Sequence, residues 1–279
     1  MRLFGARLAP IVALVVIAGC AQLKEIREFA EQGAQLAAYT AIVDDDLQSF
    51  DRRGELTRED LRPSVAEEKE KRKALRERLL AMHGAIELYM QTIGQLAADK
   101  TVDYGAELKS LTGNLQKLGA LDDAEVNAFN KVAGLIARAI TDGYRQRELR
   151  HMIREAQPHL LVLLKSVRTF VEKDYAENTL ALEANALRSF YTPIIGSARE
   201  NKESAALELA QAMYAEKQKP IRQRQDNARA FVAVVDGIAA GHTVLYENAD
   251  AIDTKLVLDT IREYAKQIKE ARRLLRDLS

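Results

Sequence analysis

The sequence predicts an all-α protein, an elongated irregular antiparallel bundle built from long helices. Ala, Leu, Glu, Lys, Arg and Gln dominate a chain with 14 Gly, 5 Pro and no Trp, a mixture that favours helix over sheet. Apolar residues recur at three- and four-residue intervals along most of its length, the period of one buried helix face. The stretch from Pro63 to Ala98 has no strong breaker, and its 36 residues would form a rod of about 54 Å.

Each element follows from the same reasoning. From Gln22 to Val43, Leu23, Ile26, Ala30, Ala34, Ala37 and Ala38 make a weakly apolar helical stripe. Asp44-Asp45-Asp46 and the segment Ser49 to Glu55, with Gly54, read as a polar turn. Thr57 then caps a helix, with Asp60 three residues on and Leu56 and Leu61 as a hydrophobic staple. The first half of the long helix pairs Glu67 with Lys71 and Glu68 with Arg72, a solvated arm. Its second half turns Leu75, Leu79, Met82, Ile86, Met90, Ile93 and Leu96 to the core.

A shorter helix from Val102 to Leu118 ends at Gly119. Asp122 caps the next, whose stripe is Phe129, Val132, Ile136, Ile140, Tyr144 and Leu149, and Pro158 predicts a break near Gln157. From His159 the apolar run Leu160 to Leu164 belongs in the bundle centre. Asn178 to Ile195 follows, ended by Pro193 and Gly196, and Ser197 with Glu200 forms a capping box for the next helix. Pro220 predicts a kink, Gly241 a terminus, and Thr243 to Leu278 the last helix. No internal repeat or sustained heptad supports a coiled-coil filament.

At the amino terminus Arg2 and Arg7 precede an apolar run, Ile11 to Ala18, too short for a bilayer span of about 20 residues. It closes on Ile17-Ala18-Gly19-Cys20. This segment resembles the type II signal peptide and lipobox of bacterial lipoproteins. The resemblance implies that residues 1–19 are removed and that Cys20 becomes the first residue, carrying diacylglyceryl and a further acyl chain such as palmitate. Ala21, in place of Asp, implies by the same resemblance an outer-membrane destination facing the periplasm. The organisation expected is a signal peptide (1–19), a lipid-anchored helix and polar turn (20–56), and a multi-helix bundle domain (57–279).

The 41 basic and 41 acidic residues balance. Loss of Arg2 and Arg7 with the leader leaves a net charge near minus two, which argues against nucleic acid as a partner. Cys20 is the single cysteine, so neither an intramolecular disulfide nor a thiolate metal cluster is expected.

The chemistry-bearing residues form no catalytic pattern. His83, His151, His159 and His242 make no two-histidine zinc motif, the serines no nucleophile elbow, and Asp44 to Asp46 no calcium loop. Gly241, His242 and Glu247 do not keep the Gly-X-His-X-X-Glu spacing of imelysin-like envelope proteins. No catalytic residue, metal or cofactor is therefore assigned. Two basic patches are the candidates for anionic lipid, glycan or an acidic partner face: Arg145, Arg147, Arg150 and Arg154, and Lys217, Lys219, Arg222 and Arg224. The expected function is a noncatalytic lipid-anchored envelope adaptor acting through protein contacts. A periplasmic small-ligand binding module is the alternative, and an envelope enzyme with a non-local active site the third reading.

Overall fold

The computed structural model describes residues 23–115, 123–141 and 145–276. Cys20, Gly119, Asp122 and the leader lie outside them. The protein is all-helical, with long helices in an elongated bundle, and no strand occurs among the described residues.

Helices α1 (Lys24–Gly33) and α2 (Ala38–Leu56) run end to end, antiparallel to α3 (Arg62–Ala97). Between α2 and α3 lies a 3-10 turn, Glu59–Leu61. Then come α4 (Gly105–Leu115), α5 (Asp123–Thr141) and α6 (Arg145–Thr169). A ten-residue π-helix, Phe170–Thr179, leads directly into α7 (Leu180–Glu200). Helix α8 (Ser204–Glu247) is 44 residues long, and α9 (Lys255–Arg276) closes the bundle after a 3-10 turn at Ala249–Ala251.

Several expected breaks are absent, each for a physical reason. The polar turn at Asp44 to Glu55 is instead the body of α2, because its carboxylates meet arginines from other helices. Thr57 does not cap α3; its hydroxyl donates to the Arg53 carbonyl at the end of α2 (2.7 Å), and Pro63 occupies the first turn of α3, where a missing N–H costs nothing. Pro158, Pro193 and Pro220 all sit inside helices. Each is exposed, so water can reach the carbonyl that each leaves without a helical donor. Gly196 and the Ser197 capping box fall inside α7, which ends at Glu200 with Asn201 as its cap. There Lys202 takes a left-handed φ of 59°, and the Glu203 N–H closes back on the Ala198 carbonyl.

Gly241 does not end a helix either. It is a contact point: a Cβ there would meet the Phe29 ring at 2.4 Å. Gly33 likewise receives Met90 and Ile238, and Gly237 receives Ile268. These close approaches seat α1 against α3 and α8, and α8 against α9. Ile26, Phe29, Tyr39, Ile86, Tyr89, Phe231, Val234 and Ile238 share one core with Phe129, Ile136, Leu160 and Leu163. Helix α8 has a window apolar enough to cross a membrane by length and composition, but the apolar face from Phe231 to Leu245 is buried in that core.

Within the core lies a satisfied polar relay. Tyr89 Oη donates to His242 Nε2 (2.6 Å), and His242 Nδ1 donates to Gln157 Oε1. Gln157 Nε2 donates to Thr243 Oγ1 (3.0 Å), which donates to the Ala239 carbonyl. Burial pushes His242 down to about 3. His83 is driven down to about 4 by burial, which outweighs its bond to the Leu36 carbonyl.

Candidate functional site

The residues read as a polar turn form a buried charged cluster, with Asp46, Ser49 and Glu183 all buried. Two successive turns of α2 present Asp45, Asp46, Ser49 and Arg52 towards the π-helix, α7 and α8. Glu183 of α7 accepts from Arg52 Nε (2.9 Å), from Arg224 Nη2 (2.7 Å) and from the Ser49 hydroxyl. Asp45 accepts from Arg52 (2.9 Å), Arg224 (3.1 Å) and the Tyr175 hydroxyl (2.7 Å). Asp46 accepts from Thr179 (2.7 Å) and pairs with Arg72 (3.2 Å).

Position and electrostatics explain each other here. Burial alone would raise the Glu183 carboxyl, but the guanidinium groups of Arg224 and Arg52, with Ser49, hold it below the usual range. Asp46 goes the other way: burial outweighs Arg72 and Thr179 and raises it. The π-helix sets this geometry, since Tyr175 and Thr179 both project from it onto α2. Such wide-turned segments are rare and concentrate where side chains must be placed against the helical period. With both oxygens of Glu183 engaged, the cluster ties five elements together: α2, α3, the π-helix, α7 and α8.

The cluster opens at one edge onto a cleft of about 1150 Å³. Small residues at the junction of α1 and α2, Ala34 and Ala37, and at the start of α2, Ala38 and Ala41, line it. Glu87, Met90 and Gln91 of α3 line one side, and Asn227 and Leu275 the other, with Asp45, Tyr175 and Arg224 at the clustered end. Glu87 is half-buried and raised by that burial alone. Among the described residues no hydrogen bond or ion pair to its carboxylate is found, and Asn227 Oδ1 is buried without a partner.

The basic patches separate. Arg224 turns inward to Glu183 and Asp45, whereas Lys217, Lys219 and Arg222 are exposed. Lys219 pairs with Glu216 (2.6 Å) and Arg222 with Gln218 on the same helix. Arg147 is exposed and Arg150 half-buried on α6; Arg154 pairs with Asp250, and the Arg145 side chain lies outside the described set. Unbroken α6 places His151 and His159 eight residues apart, a rise of about 12 Å that keeps them from sharing a ligand. Nε2 of His151 instead contacts Arg138 (2.6 Å). Among the described residues no group of three or more His, Cys, Asp or Glu is arranged to hold a metal ion.

Periodicity misses the Asp45–Glu183–Arg224 cluster because its members are 41 to 179 positions apart. The local signal available is the acidic triplet itself, and it has the composition of a turn. In comparisons with known proteins, no family model, curated protein or solved structure matches this chain.

Proposed function

We propose that this chain is a noncatalytic adaptor or assembly protein of the bacterial envelope, held at the outer membrane through acylated Cys20 and facing the periplasm. Its contact with an envelope protein is made by the hairpin of α7 and α8. One observation carries the reading: the hairpin exposes Phe190 (43 %), Ile194 (43 %), Leu209 (62 %) and Met213 (45 %). They form one i, i+4 pair on each helix, and a cluster of large exposed apolar side chains marks an interaction surface.

The arm also lies far from the anchor. Helix α8 begins at the hairpin and ends beside the start of α1, so its 44 residues carry the arm about 66 Å along the molecule. A photoreactive residue in place of Leu209, activated in intact cells, tests this. A discrete protein adduct is expected, and Phe190→Ser with Ile194→Ser should lower its yield about tenfold, the loss of about 1.4 kcal/mol of contact. No adduct at any arm position would overturn the reading.

A small-ligand binding module is the second reading, favoured by the unpartnered Glu87 carboxylate in the cleft. It calls for a ligand with hydrogen-bond donors, such as an amine. A screen of envelope amines and amides should then raise the unfolding midpoint with concentration, and Glu87→Gln should abolish the rise.

A further inference from the structure

We infer that the end of the bundle opposite the arm is a phospholipid-binding face, with the Leu256 side chain in the acyl boundary and Arg147 and Arg150 on lipid phosphates. The inference rests on the acylation of Cys20 proposed above. Ala21 and Gln22 alone separate Cys20 from Leu23, a reach of about 11 Å when fully extended. Leu23 is buried at the start of the fold, so a lipid on Cys20 draws this end of the bundle against the headgroups.

The levels of the neighbouring helices decide what meets the lipid first. Glu25 pairs with Arg262 (2.6 Å), and α9 begins seven residues before Arg262, at Lys255. Its first turn therefore projects beyond the point where α1 starts. That turn carries Leu256, which at 79 % is the most exposed large apolar side chain among the described residues. Tyr246, 44 % exposed, lies at the adjoining end of α8.

Helix α6 extends past the same level. Gln157 meets His242 and Arg154 meets Asp250, so residues 147 to 150 lie a further turn towards the lipid. Arg147 is exposed there, with the half-buried Arg150 three residues along the same helix. Arg154 neutralises Asp250 at this end, while Glu247 and Asp253 stay exposed. The face is thus amphipathic, and it sets how the bundle sits on a membrane to which the acyl chains of Cys20 hold it.

Because the chain has no tryptophan, Leu256→Trp is a sole reporter. Full-length protein carrying it, extracted from membranes, is reconstituted into vesicles of equal phosphatidylethanolamine and phosphatidylglycerol with brominated acyl chains. The modification of Cys20 is read by mass spectrometry of the same sample. Emission from Leu256→Trp should fall about twofold and shift to the blue relative to unbrominated vesicles, as for a side chain 5–10 Å into the interface, while Leu209→Trp stays unchanged. Tyr246→Trp replaces the first reporter if circular dichroism shows that Leu256→Trp misfolds. Quenching of neither reporter at this end, with Cys20 acylated, overturns the lipid-binding face alone. Absence of acyl groups on Cys20 overturns the anchor and this orientation together.

Discussion

Glu183 keeps its negative charge in the interior because three donors converge on it, and their removal from water is offset only while it stays ionised. Glu183→Gln should cost about 3 kcal/mol in urea unfolding, since it strands the charges of Arg224 and Arg52. Its carboxyl is depressed, so its stabilisation is present above the unfolded value of 4.5 and disappears as pH falls through the folded value. The histidines act over a higher range. His242 and His83 bind protons at 6.5 when unfolded but only at about 3 and about 4 when folded. The unfolded chain therefore holds more protons between these limits, and stability must drop as pH is lowered from 6.5 towards 4. Denaturation midpoints measured across that interval should show the decline, and His83→Gln combined with His242→Gln should flatten it. None of these roles was legible locally. Asp45 looks like a turn residue and Arg224 like a surface cation until the fold brings them to 3.1 Å.

Helices were legible wherever apolar spacing repeats; the ends of the long α3 were found within a residue, but those placed at prolines and glycines inside α6, α7 and α8 were not. The stripes through Met82, Ile86 and Ile93, and through Val234, Val235 and Ile238, lie in the core as expected. Prolines and glycines misled because burial of a long apolar face outweighs one missing hydrogen bond or one flexible residue. Two glycines in helices of similar appearance should therefore respond oppositely to alanine. Gly241→Ala drives a Cβ into the Phe29 ring at 2.4 Å and should destabilise by about 1–3 kcal/mol. Gly196→Ala meets nothing within 4 Å and should stabilise α7 by about 0.5–1 kcal/mol through lower backbone entropy in the unfolded chain. Thermal unfolding of the pair checks the contrast.

Across the whole molecule, elongation was visible in the unbroken stretch that became the 36 residues of α3, while the direction of the arm required the tertiary fold. Cys20→Ala should move the protein from the membrane to the soluble fraction with its helical circular dichroism and unfolding midpoint unchanged, because the buried contacts among the described residues already join the helices into one core. Fractionation and spectra of the variant are the test; a loss of helix would refute an anchor that is separate from the fold. The uninterrupted course of α8 has a mechanical consequence. With Leu209 near one end, Arg224 in the charged cluster and His242 in the central relay, the helix is a lever whose fulcrum is the bundle itself. A pull on the arm has no hinge at Pro220 or Gly241 to dissipate it, so torque applied by a partner is delivered to the Glu183 clamp and the Phe29 contact.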